Sequence, residues 1–117
     1  MSQVPNAFLK EKEEMLRLKN RINFTSPQKV KSEDLVKLSH HYYHMFQVSD
    51  NDRSKSLCIG QAGYYGSWAV GKGHTNLADI KKFIKYLKID LTMPNPDDTA
   101  KEHLKTLQEK LKVLLNK

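Results

Sequence analysis

Three glycines spaced three apart, Gly60, Gly63 and Gly66, sit inside the string LCIGQAGYYGSWAVGKG that runs from Leu57 to Gly73. The string also holds the remaining two glycines of the chain, its one Trp and two of its five Tyr. A helix over about residues 54–69 would line those three glycines along one side. Each costs about 1 kcal/mol against Ala in a helix interior. The cost makes sense where another helix packs closely against that side. The alternative is a hairpin of two short strands, 57–59 and 64–70, joined through Gly60–Gly63. Helix is preferred, because every flanking segment carries helical spacing.

Residues 6–22 read as a first helix. Glu11, Glu13 and Glu14 stand towards its positive end and Arg17, Lys19 and Arg21 towards its negative end. Phe8, Met15 and Ile22 recur every seven residues, with Leu18 three after Met15, which makes a narrow apolar seam. Pro27 disfavours helix at Ser26. Ser32-Glu33-Asp34 then opens a second helix, along which Leu35, Leu38, Tyr42, Met45 and Phe46 keep helical spacing to about Gln47. Ser49-Asp50-Asn51-Asp52 is a polar turn.

Thr75 or Asn76 begins a fourth helix. Leu77, Ile80, Phe83, Ile84 and Leu87 form its apolar face, with Lys81, Lys82, Lys85 and Lys88 over the rest. Pro94 and Pro96 impose an extended linker, and Asp97 and Asp98 open a last helix over 98–115. There Leu104, Leu107, Leu111 and Leu114 repeat at three, four and three, a coiled-coil-like seam of two heptads. The expectation is an all-α fold, a small bundle of about five helices. Residues 1–31 supply an N-terminal helix and linker, and 32–117 a compact helical domain with a glycine- and aromatic-rich centre.

At 117 residues the chain has room for one core. Its apolar runs stop at three residues, far short of the roughly 20 needed to cross a bilayer, so no membrane partner is expected. The start lacks the apolar core of a signal peptide. One cysteine, Cys58, rules out an internal disulfide and suits a reducing compartment. An intracellular protein, nuclear in particular, is expected.

Enzyme signatures fail one after another. Gly66 to Lys72 fits G-x-x-x-x-G-K, but Gly73 stands where a phosphate loop needs Ser or Thr, and no parallel sheet is in prospect. His40 and His44 are i,i+4, a permitted spacing for two metal ligands, yet no third ligand is adjacent and no Glu lies between them. Cys58 is flanked by Leu57 and Ile59, where burial would leave it inert. Ser67 lacks the second glycine of a nucleophile elbow. No catalytic residue, metal or cofactor is expected.

Charge is the better clue. The chain carries 20 Lys+Arg against 13 Asp+Glu, a net +7 spread along its length. The local concentration runs from Lys72 to Lys88, five lysines against Asp79 alone, with His74 beside them. With the fourth helix packed by its apolar face, Lys81, Lys82, Lys85 and Lys88 form a positive surface. Lys72 and the amides of Gly71–Gly73 would then sit at the positive end of that helix, a natural seat for phosphate. Tyr64, Tyr65 and Trp68 could stack on bases if exposed. Three arginines in all favour backbone contact over base reading.

Two apolar seams remain. Phe8, Met15, Leu18 and Ile22 on the first helix, and Leu104, Leu107, Leu111 and Leu114 on the last, exceed what so small a middle is expected to cover. Each side chain would contribute about 1.5–3 kcal/mol if fully buried, so at least one seam is expected to close on a protein partner. The functional expectation is a non-enzymatic, basic helical subunit or adaptor of an intracellular assembly acting on nucleic acid. The alternative is a free-standing domain that lays its lysine-rich helix along DNA or RNA phosphates.

Overall fold

The computed structural model describes residues 6–116, and it is all-helical. Five helices follow one another: α1 (Asn6–Asn23), α2 (Ser32–Val48), α3 (Asp52–Gly71), α4 (Leu77–Leu91) and α5 (Ala100–Leu115). A single 3-10 turn, Pro27–Lys29, follows α1 at the proline that interrupts helical spacing. Each helix packs on the next, and α5 also reaches back to α3. The result is a row. It measures 52 × 32 × 23 Å, with a radius of gyration of 14.3 Å against about 13.4 Å for a compact chain of this length.

The glycine side of α3 is where α4 lies. A β-carbon on Gly66 would stand 2.5 Å from the Phe83 ring, and one on Gly63 would stand 2.7 Å from Leu87 Cδ2. Real contacts of that kind do not occur, so these two glycines let the backbone of α3 meet large side chains of α4 directly. Gly60 faces Asp90 in the same row. The central segment is helix, and the strand pair is not formed.

Ends differ from the sequence estimates by a residue or two, for local reasons. Asn51 caps α3, its Oδ1 accepting from Ser54 N at 3.0 Å, so the helix begins before Ser54. At the other end α3 runs on to Gly71 and stops at Gly73, whose φ of +102° is left-handed and suits glycine. Asn76 caps α4 by accepting from Asp79 N at 3.0 Å. Asp97 stays outside α5, where its Oδ1 accepts from Thr99 N and its own N–H donates to Asp90 Oδ2.

One core runs through the row. Met15, Leu18 and Ile22 enter it from α1, Leu35, Leu38, Tyr42 and Met45 from α2, and Ile59 and Ala62 from α3. Ile80, Phe83 and Leu87 of α4 and Ala100 and Leu107 of α5 complete it. The terminal seams, expected to be left over for a partner, are drawn in part into this core. Met15, Leu18, Ile22 and Leu107 are buried by their own chain, and Phe8, Leu104, Leu111 and Leu114 are half-buried against the same cluster. The reason is geometric. A row of helices offers its two outermost grooves to α1 and α5, and the narrow seams fill them.

Candidate functional site

The fourth helix buries Ile80, Phe83, Ile84, Tyr86 and Leu87 and leaves Lys81, Lys82, Lys85 and Lys88 exposed. Their amphipathic spacing makes this division unavoidable once α4 lies on the glycine side of α3. Lys81, Lys85 and Lys88 border an open groove of about 440 Å³ floored by Ile84, Ile89 and Thr92. A neighbouring groove of about 240 Å³ continues on to α2, between Lys82, Lys85 and Tyr86 on one side and His40, Tyr43 and His44 on the other. Lys85 Nζ stands 5.3 Å from the centre of the Tyr43 ring, a cation–π distance. Among the described residues no carboxylate lies within ion-pairing distance of Lys81, Lys82, Lys85 or Lys88. Four cations therefore share one face with no internal counterion.

Asp79, the acid nearest to them in sequence, is spoken for. Its Oδ2 accepts from His74 Nε2 at 2.8 Å and its Oδ1 from His40 Nε2 at 3.2 Å. His40 Nδ1 lies 2.8 Å from the Tyr86 hydroxyl. Burial lowers the pKa of His40, outweighing the pull of Asp79, and Lys82 and His44 push the same way. The ring is therefore neutral at pH 7, with Nε2 donating to Asp79 and Nδ1 accepting from Tyr86. Burial, with Tyr43 and Asp79 nearby, raises the Tyr86 hydroxyl far above its ordinary value, so it remains a donor. Burial by itself would raise Asp79 too, but the hydrogen bonds from His74 and His40 win and hold the carboxyl below its usual range. This Tyr86–His40–Asp79–His74 chain ties α2 to α4 and to the loop before it. The chain is anchored at Tyr86, which is almost wholly buried and with His40 borders the smaller groove. It braces the fold.

That brace takes up one of the two residues expected to hold phosphate. His74 is turned in on Asp79, with its side chain 19% exposed. Lys72 reaches the other way, its Nζ 3.4 Å from the carbonyl of Gln28. The amides of Lys72, Gly73 and His74 all donate to the last carbonyls of α3. The end of α3 thus consumes the donors that these three amides were expected to offer an anion. The G-x-x-x-x-G-K string likewise lies within α3 through Gly71 and cannot wrap a phosphate.

The three aromatics part company as well. Tyr65 is buried, stacked on Tyr42 at 5.8 Å between ring centres, and Trp68 is half-buried beside it. Only Tyr64 faces outward, 42% exposed and 6.3 Å from the His103 ring of α5. None of them lines either lysine groove. Apart from the buried Tyr86, the tyrosine that does is Tyr43. Sequence reasoning passes over it because nothing in the local pattern of α2 says which helix it meets.

Other candidates resolve simply. Cys58 is buried and burial pushes its thiol upward, as expected of an inert cysteine. His40 and His44 do not share a ligand, since His40 turns to α4; it is His41 and His44 that meet, on Glu11 of α1. Asp90 is wholly buried, burial raises its pKa, and its Oδ1 has no partner among the described residues. Among the described residues no helix is long and apolar enough to cross a membrane. No protein-family model matches the chain, and no curated protein or solved structure is significantly similar to it.

Proposed function

We propose that this chain is a non-enzymatic, basic helical module that binds nucleic acid along its phosphate backbone, as a subunit of a larger assembly. The observation that carries the proposal is the α4 face, where Lys81, Lys82, Lys85 and Lys88 lie exposed with no carboxylate in pairing distance among the described residues. Unpaired cations on one rigid helix meet a row of phosphates without first breaking an internal ion pair. Lysine at these positions attracts charge without bidentate geometry, so the binding is expected to be indifferent to sequence. An intracellular, in particular nuclear, location is part of the same proposal.

The test is titration of a labelled duplex and a labelled single strand at several salt concentrations. Affinity should fall linearly with salt on logarithmic axes, with a slope of about 0.9 per phosphate contacted on duplex. Replacing Lys81, Lys85 and Lys88 together by Glu should abolish binding. Unchanged binding in the triple variant, or none by the native chain at low salt, removes α4 from the role.

A protein-binding role is favoured by a different observation. With the expected seams closed, the outward apolar residues of the N-terminal region are Leu9 and Leu16 of α1 and Phe24 just after it, the last 92% exposed. They take the place of the buried seam as the candidate contact for the rest of the assembly. Sedimentation of the isolated chain checks this, because a monomer whose behaviour is unaffected by Phe24→Ser needs no cover there.

A further inference from the structure

Glu11 of α1 faces two histidines of α2 across the helix interface. His41 Nδ1 donates to Glu11 Oε2 at 2.6 Å, and His44 Nδ1 stands 3.7 Å from Glu11 Oε1. The two histidines are i,i+3 and so project from one side of α2. One ligand atom from each of the three residues lies within 4.8 Å of the other two, and among the described residues no other such group of three converges. Glu11 and His41 are each about a quarter exposed, at 26% and 24%, and His44 is half exposed at 52%. The cluster is walled on the helix side and open on the other.

We propose that Glu11, His41 and His44 form a binding site for a first-row divalent transition metal, with Zn2+ as the representative ion. Two imidazole nitrogens and one carboxylate oxygen are a donor set that suits zinc, copper or nickel and is too nitrogen-rich for magnesium or calcium. Bonds of about 2.0–2.1 Å place tetrahedral donors about 3.3 Å apart. The separations of 2.6 and 3.7 Å, each to a different oxygen of Glu11, bracket that value, and all three ligand atoms lie within 4.8 Å of one another. On metal binding, the Nδ1 proton of His41 moves to Nε2 as the freed lone pair coordinates, and Glu11 exchanges a hydrogen bond for a metal bond. Water on the open side fills the coordination that remains.

The site has a structural consequence. Beyond its apolar seam, α1 is tied to α2 near its far end by Arg21 Nη1 and Asp34 Oδ1, 3.3 Å apart. A metal on Glu11 fastens the opposite half of the same helix. The neighbouring group of His40, His74 and Asp79 does not converge three ligand atoms in the same way among the described residues, and His40 is also held by Tyr86.

The experiment is calorimetric titration of the untagged full chain, stripped with chelator, by Zn2+. Uptake of one equivalent is expected, with a rise in melting temperature, and Co2+ in place of Zn2+ should give visible d–d absorption. His44→Ala removes a half-exposed side chain and Glu11→Gln keeps its shape, so both variants should fold by circular dichroism. Each should weaken uptake at least about tenfold and lose the cobalt spectrum, whereas His40→Gln should bind as the native chain does. No saturable uptake, or uptake that either substitution leaves unchanged, overturns the site. Neither result bears on binding by α4.

Discussion

The two halves of the histidine string on α2 make a controlled comparison. His40 and His41 are adjacent in sequence, and each finds a carboxylate that a second histidine shares: Asp79 with His74 in one case, Glu11 with His44 in the other. The composition is the same and the outcome differs. Neighbours on a helix point about 100° apart, so His40 turns to α4 and His41 to α1. Around Asp79 the two nitrogens come from different segments, α2 and the loop before α4, and a buried tyrosine closes the line. Around Glu11 both nitrogens approach from one helix and one side stays open to solvent. Two histidines on an acid are a brace when they join separate segments and end on a buried tyrosine, and a seat for a cation when they share one helix and leave one side open.

The sharpest way to break the comparison is to remove each acid in turn. Asp79→Ala leaves His40 and His74 without acceptors in a partly buried site, and the expected loss is about 2–4 kcal/mol in chemical denaturation. A loss near zero would mean that the brace holds nothing. The second effect is on pH. Because the folded-state pKa of His40 lies below its ordinary 6.5, the unfolded chain takes up that proton first. The contribution is complete above pH 6.5 and lost as pH falls through the window beneath it. Asp79, also lowered, keeps its contribution above its ordinary 3.8 and loses it as pH drops through the folded value. Asp90, raised by burial, acts in the opposite sense and gains on acidification above 3.8. The His40 contribution should therefore decline as pH falls below 6.5, and His40→Gln, which cannot titrate, should remove that part of the slope. An unaltered slope would place its origin elsewhere. The smallest effect belongs to Glu11→Gln without metal, where thermal melting should register a change of less than about 1 kcal/mol, as for a partly exposed pair. A large loss would show that Glu11 is a structural member in its own right.

The same contrast marks how far local pattern carries. The amphipathic spacing of α4 is complete in the sequence, so its exposed lysines are legible from that spacing alone. So is the close approach at Gly63 and Gly66, because three glycines in one helix face need a neighbour to justify them. Glu11 and His41 are 30 residues apart, and His40 and Tyr86 are 46 apart. Nothing in either neighbourhood announces the other. Lys72 and His74 mislead for a related reason: their amides look free in the string, and the end of α3 claims them.

Helix identity, the buried stripe of each helix and the glycine contact were set by the order of the amino acids, since they rest on periodicities that a single segment carries. Which groove each terminal seam fills, which lysines stay unpaired and which acid each histidine meets were decided by packing. Those outcomes depend on the direction in which one helix crosses another, and a rotation of a few tens of degrees would have exchanged every polar partner while leaving each helix intact.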